Sequence, residues 1–337
     1  MSLNYNRTLV EVFSGACKSF ADKNAFTCMD RTLTYADLDR LSGRFAAYLQ
    51  QHTTLKPGDR IAVQLPNILQ YPVVVFGALR AGMVVVNTNP LYTAHEVKHQ
   101  LNDSGAKALV VLANIAKNAA SIIKETKVEQ VIVTELADLH TPFKRVLLNF
   151  AVKHLKKMVP PFEFPQQIGF NKALAMANKP WQPVAQTPDD IAVLQYTGGT
   201  TGVAKGAMLT HRNLVANMAQ LNERMKDIFR PAQELYAAPL PLYHIYSFTI
   251  HCTSAMVLGN HSILIPNPRD IPGFVKTLRG KPITFFVGLN TLFNALLRNP
   301  DFCALDFSNL RLTCSGGMAL TAETTKHWME VTKAPIS

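Results

Sequence analysis

The stretch IAVLQYTGGTTGVAKGAMLTHRN, residues 191–213, runs an apolar strand straight into a turn of three glycines and three threonines. Glycine tolerates positive φ and puts no side chain in the way, so such a turn can aim several backbone N–H groups at one point. Amide donors, threonine hydroxyls and the nearby Lys205 together make a cradle for phosphate oxygens. Each charge-assisted hydrogen bond of this kind contributes about 1.5–3 kcal/mol, so a few give useful affinity. A Walker A loop is excluded, because Ala204 precedes the lysine and Gly206 follows it, and no G-x-G-x-x-G pattern is present. A flexible glycine-rich linker is the alternative, but linkers do not emerge from an apolar strand with a lysine and a Thr-His pair behind them.

Outward from this segment the chain alternates short apolar strands with amphipathic helices. LTYADLDRLSGRFAAYLQQ places Leu38, Leu41, Phe45 and Leu49 on one helical face, with Thr34 and Asp37 set as a capping pair. RIAVQL, MVVVN, KALVVL and QVIVT before the turn read as buried parallel strands, as do LYAAPL, SILIP, ITFFVGLN and LRLTCSGG after it. The fold class is therefore α/β. The stretch from Glu135 to about Pro188 is the least regular, and a subdomain boundary is expected near its end, giving 1–188 and 189–337.

The composition fits that fold. The 337 residues are 48% hydrophobic and 17% charged, enough for a sizeable core. A formal charge of +11 suits anionic partners or a plain basic enzyme. The five cysteines are scattered with no C-x-x-C pair, which argues against disulfides or a zinc ribbon and suits a reducing cytoplasm. The start, MSLNYNRTLVEVF, lacks a signal-peptide pattern, and the best apolar run, YPVVVFGALRAGMVVV, is broken by Arg80. HEVKH, residues 95–99, matches a zinc-protease pattern, but Thr93 with Glu96 forms a capping box that explains the glutamate, and the motif opens a helix instead of lying inside one. FKRVLLNFAVKHLKKMV sets Lys144, Arg145, Lys153, Lys156 and Lys157 among apolar residues. If helical, it suits either an anionic membrane surface, at about 1 kcal/mol per basic residue, or packing on the domain with its lysines solvated; the second is the plainer reading.

The turn resembles the phosphate loop of the acyl-adenylate-forming enzymes, Y-[ST]-[SG]-G-[ST]-T-G-x-P-K-G, with Ala204 where proline is usual. That alanine and the Gly198-Gly199 pair are similar to the branch of bacterial long-chain fatty acid:CoA ligases. So are NTNPLYTAHEVKHQLNDSGAKALVV, PLPLYHIYSFTIHC, NPRDIPGFVKTLRG and GLNTLFNALLRN, so the resemblance runs along the whole chain. It implies a large N-terminal adenylating domain with two helix-flanked sheets, incomplete, with part of a small barrel-like region and without the C-terminal lid. It implies that Tyr196, Thr197, Gly198, Gly199, Thr200, Thr201, Gly202 and Lys205 bind ATP, that Thr197 meets Mg²⁺, and that Gly316, Gly317 and Met318 in SGGMA lie beside the adenine and the acyl group. It further implies that His244 in PLYHIY orients the fatty carboxylate or gates the acyl tunnel; by itself a histidine beside aromatics is as readily structural. His211, in LTHRN, reads instead as a brace for the helix that follows. The partners implied are a fatty acid, ATP and coenzyme A, with peripheral contact to the inner face of the cell membrane and no nucleic acid. The family's metal-binding glutamate, ribose-binding aspartate and lid lysine all fall after Ser337, so adenylation by this polypeptide is expected to be weak or absent. An acyl-AMP ligase that loads a carrier protein, and a non-catalytic nucleotide- or lipid-binding remnant, are the alternatives.

Overall fold

Thirteen strands account for the sheet structure of the described residues. In chain order they are β1 (Asn24–Cys28), β2 (Arg31–Thr34), β3 (Arg60–Gln64), β4 (Val84–Asn87), β5 (Ala106–Leu112), β6 (Gln130–Thr134) and β7 (Ile168–Gly169). After these come β8 (Ile191–Thr197), β9 (Lys205–Thr210), β10 (Leu235–Ala238), β11 (His261–Leu264), β12 (Phe285–Gly288) and β13 (Leu312–Ser315). The computed structural model describes residues 5–197 and 204–337. Every strand expected from the sequence is present, several shortened by a residue or two. All fall in two sheets; a barrel-like third element, expected from the resemblance, is not found among the described residues.

The chain divides into two compact units: Met1–Ser14 with Asp37–Ala216, and Gly15–Ala36 with Asn217–Ser337. The sequence reading instead puts a boundary near residue 188. The difference has a direct cause, because β8 pairs in parallel with β4 and β9 pairs with β8, so both strands belong to the first sheet. Likewise β1 pairs with β11, so an early hairpin belongs with the later unit.

The first unit is a seven-stranded sheet ordered β7-β6-β5-β3-β4-β8-β9, parallel except for β9 at the edge. Its apolar core gathers Val97, Leu101, Leu109, Val111, Ile122 and Tyr196, among others. Every residue of the helix Gln70–Arg80 is buried, as expected of a helix apolar all round. Gly77 is needed there, since a Cβ would sit 2.8 Å from Phe45 and from the backbone oxygen of Ser42. Arg80, the charge that interrupts this apolar run, stacks on the rings of Phe13 and Trp181 at 4.7 and 5.1 Å. It also pairs with the Asp39 carboxylate and donates to Ser42 Oγ at 2.9 Å, so its burial is compensated.

The second unit is a six-stranded sheet ordered β13-β12-β10-β11-β1-β2, parallel except for β2. Its core is aromatic. Trp328, fully buried, lies 4.5 Å from Phe293 and 5.2 Å from Phe286 between ring centroids. Such pairs add about 0.5–1.5 kcal/mol each beyond area burial. The indole N–H donates to Thr313 Oγ1 at 2.9 Å, which fixes β13 against the helix Ala322–Thr332.

Candidate functional site

In the first unit, β8 and β9 form an antiparallel pair whose last partners are Tyr196 with Gly206 and Thr197 with Lys205. β8 ends and β9 begins at the carboxyl edge of a parallel sheet, the edge where ligands of open α/β sheets bind. Gly198, Gly199, Thr200, Thr201 and Gly202 lie outside the described residues. Thr197 and Lys205, at the two ends of the turn, are both exposed. Tyr196 is buried, and its phenol donates to Asp103 Oδ2. Burial, then the hydrogen bond to that carboxylate, pushes the phenol well above its ordinary pKa, so it stays a neutral donor. Gly206 opposite has no room for a side chain, as a Cβ would come within 2.9 Å of the Tyr196 ring.

The descending limb is tied down from the side. His99 Nε2 lies 3.2 Å from the carbonyl oxygen of Ala204, which requires that nitrogen to carry the proton. His99 sits on the helix Ala94–Ser104, whose N-cap Thr93 and Glu96 form a reciprocal capping box. The glutamate of HEVKH is therefore committed to its own helix end, and the second histidine to the turn.

Below the turn lies a buried polar network that sequence reasoning missed. The strands β3 and β4 end in Gln64 and Asn87, and Gln195 lies near the end of β8; all three are buried. Asn87 Nδ2 donates to Gln195 Oε1 at 3.1 Å, Tyr71 donates to Asn87 Oδ1 at 2.7 Å, and Gln100 donates to the Asn87 carbonyl at 2.9 Å. The signal was available: RIAVQ and VVVN each close on a side-chain amide, and Gln195 interrupts the apolar run of IAVLQYT. Such a network rigidifies β4 and β8 near their carboxyl ends.

His211 is buried, and its Nδ1 accepts from the backbone N–H of Leu9 at 3.2 Å. Burial lowers its pKa to about 4. It thus braces the start of the helix Leu9–Ser19. The helix His211–Met225 is capped instead by reciprocal bonds between Thr210 and Asn213.

In the second unit, β10 is flanked by β11 on one side and β12 on the other, so the order reverses there, and ligands of open α/β sheets bind at the carboxyl end of such a switch point. PLYHIY follows β10 at this end. His244 caps a one-turn helix, Ile245–Ser247, by accepting the Tyr246 N–H on Nδ1 at 3.3 Å. Its rim meets solvent while the packed side strips hydration, which lowers its pKa. The next turn, Phe248–Ser254, is a π-helix, a form that recurs at functional sites.

Gly316, Gly317 and Met318 follow β13. A Cβ on Gly316 would lie 2.6 Å from the Tyr246 ring, so that glycine lets Tyr246 pack flat on the backbone. Gly317 has φ +79°, a conformation that favours glycine, and Met318 is exposed. Burial raises the Tyr246 phenol above its ordinary range and the neighbouring Cys314 thiol to about 11. His244, Tyr246 and the glycine turn thus stand together at one sheet edge, and the Ser315 hydroxyl there is buried without a hydrogen-bond partner.

The AMP-binding enzyme family matches residues 13–337. This chain belongs to the AMP-binding enzyme family. Within it, the chain is 48% identical over 327 residues to a long-chain-fatty-acid–CoA ligase of Escherichia coli O157:H7, covering 97% of this chain and 58% of that protein. It is 33% identical over 331 residues to the Bacillus subtilis (strain 168) protein of the same name, again covering 97% and 58%. The chain thus spans somewhat over half the length of these relatives. Among solved structures, a long-chain-fatty-acid–CoA ligase from Archaeoglobus fulgidus superposes with TM-score 0.81 at 21% identity, covering 98% of this chain and 62% of that one. An anthranilate CoA ligase in complex with anthranoyl-AMP does so with TM-score 0.81 at 20% identity, covering 99% and 60%. Both likenesses establish the shared AMP-binding enzyme fold.

Proposed function

We propose that this chain is the nucleotide-binding part of an ATP-dependent ligase that activates a long-chain fatty acid. The observation that carries the reading is the β8–β9 pair: it brackets the glycine-threonine turn at the carboxyl edge of a parallel sheet, with exposed Thr197 and Lys205 at the turn's two ends. In this reading Thr197, Gly198, Gly199, Thr200, Thr201, Gly202 and Lys205 hold the β and γ phosphates, and Tyr196 anchors the turn's root. Gly316, Gly317 and Met318 receive the adenine and acyl group, while His244 orients the carboxylate. The names of the relatives support the acid as a long-chain fatty acid.

The chemistry follows from what a carboxylate lacks, which is a leaving group. The carboxylate oxygen attacks the α-phosphorus of ATP, pyrophosphate departs, and the thiolate of coenzyme A displaces AMP from the acyl-AMP. The protein contributes positioning and neutralisation of phosphate charge. Mg²⁺ fits as an ion carried by the triphosphate. Thr197 offers one exposed hydroxyl, and among the described residues no group of three or more His, Cys, Asp or Glu gathers to hold a metal by itself. When bound, it would neutralise phosphate charge. The fatty acid partitions into bilayers, so the proposed setting is the cytoplasm at the inner face of the cell membrane; no helix of the described residues is long and apolar enough to cross it.

Calorimetry of this chain with ATP tests the reading. Lys205→Ala removes one charge-assisted contact and is expected to weaken binding about 10- to 100-fold with the melting temperature unchanged, since the side chain is exposed. Equal ATP affinity in the two proteins, or no ATP binding by either, would overturn it.

A further inference from the structure

The segment FKRVLLNFAVKHLKKM, residues 143–158, is helical, but it is turned inside out. The helix Pro142–Phe150 continues as a π turn, Ala151–Leu155, and neither contains a buried residue. Phe143, Val146, Leu147 and Phe150, at helical spacing i, i+3, i+4 and i+7, are all exposed, Phe143 by 79%. Leu155 and Met158 extend the patch, Leu155 at 72%. Six of the thirteen large hydrophobics exposed among the described residues fall in this one segment, a density that marks an interaction surface.

The orientation is fixed by polar contacts on the opposite side. Asn149 accepts from the Ala137 N–H and donates to Glu135 Oε2, both at 2.9 Å. At the far end the Met158 carbonyl accepts from Asn114 Nδ2 at 3.1 Å, and Lys157 takes a left-handed φ of +50° that ends the turn. These clamps hold the amide side inward, so the apolar face has nowhere to go but out.

Charge identifies the partner. Lys144, Arg145, Lys153, Lys156 and Lys157 lie in this segment, and no acidic residue occurs between Leu139 and Phe162. A second copy of the chain would set this positive stretch against itself. We propose that residues 142–158 are a docking element that lies flat on an anionic lipid bilayer, with Phe143, Leu147 and Phe150 in the acyl boundary and the lysines among the headgroups. The proposal uses no part of the ligase reading, and its test requires neither nucleotide nor fatty acid.

The test is co-sedimentation of this chain with vesicles of phosphatidylcholine alone and of phosphatidylcholine mixed with phosphatidylglycerol. Binding is expected only to the mixed vesicles and is expected to weaken with salt. Replacing Lys153, Lys156 and Lys157 by Gln together should lower the partition constant about a hundredfold, about fivefold for each lysine. Phe143→Glu with Leu147→Glu should lower it about tenfold or more without changing circular dichroism, because both side chains already face water. Equal sedimentation with both vesicle types, unaltered binding by these variants, or no binding at all would overturn the proposal. So would a dimer in solution that the Phe143→Glu/Leu147→Glu variant makes monomeric.

Discussion

Two buried histidines, His211 and His251, and the part-buried His261 are expected to make the stability of this protein fall steeply in mild acid, and the fall can be worked out. Burial lowers His211 to about 4, His251 to about 3 and His261 to about 4, against 6.5 for an unfolded histidine. His251 is the most constrained: Nδ1 meets Ser262 Oγ at 3.0 Å, while Nε2 is buried with no hydrogen-bond partner and could not keep a proton there. The folded values lie below the unfolded one. The folded state therefore takes up fewer protons, and stability present above about pH 7 is lost as pH drops from 6.5 toward 4. Each group costs about 1.4 kcal/mol per pH unit in that window, or about 2 kcal/mol between pH 7.5 and pH 5. The second unit holds His251 and His261 and should lose about 4 kcal/mol, a large part of a typical domain stability of about 5–15 kcal/mol. The first holds His211, and Asp138, whose burial raises its carboxyl, offsets part of the loss, so the second unit is the cleaner test. Trp181 and Trp328 lie one in each unit, so urea unfolding of a Trp181→Phe protein reports the second unit alone. Substituting His251 by Asn should lower the slope against pH by about 1.4 kcal/mol per unit, whatever it does to stability at pH 7.5. A second-unit stability that varies by less than about 1 kcal/mol across that interval would show that these rings titrate normally and would refute the reasoning.

Other perturbations have equally definite outcomes. Gly316→Ala forces a methyl to within 2.6 Å of the Tyr246 ring and should cost about 1–3 kcal/mol in thermal unfolding while weakening ATP binding; an unchanged melt would mean the ring yields freely. Trp328→Ala empties the aromatic centre of the second unit and should cost about 3–5 kcal/mol by urea unfolding. Tyr196→Phe removes the phenol donor to Asp103, which is exposed and can turn to water, and should destabilise the first unit by about 0.5–1.5 kcal/mol. Thioester formation by the parent protein on free coenzyme A, but not on a carrier's phosphopantetheine, is the expected acceptor preference, and the reverse would favour the carrier-loading alternative.

Much of this was legible because it depends on short-range rules. Strands such as KALVVL and QVIVT carry unbroken apolar runs, and the Thr93–Glu96 capping box is written in four consecutive residues. The strand that leads into the turn was legible for the same reason, whereas β9 after it was not, because KGAMLT is an edge strand with no buried residue. The partition into units was not, because it depends on which strand sits beside which: β8 joins β4 across a long interval, and no local pattern records that pairing. The network of Tyr71, Asn87, Gln100 and Gln195 was hidden for a related reason, since Asn87 and Gln195 meet only when β4 and β8 lie side by side.

The basic helix shows where pattern reading stops. Periodicity fixes that Phe143, Val146, Leu147 and Phe150 share a face, and it carries no information on which way that face points. Globular proteins supply the usual answer, inward. Here a single amide reverses it: Asn149 holds Glu135 and the Ala137 N–H on the inner side, a bond set that no apolar side chain could supply. Removing it with Asn149→Leu should let the helix roll and bury part of the exposed ridge, so that vesicle binding falls although no lysine and no surface phenylalanine has changed. Binding that persists undiminished would mean the outward face is held by something other than this clamp.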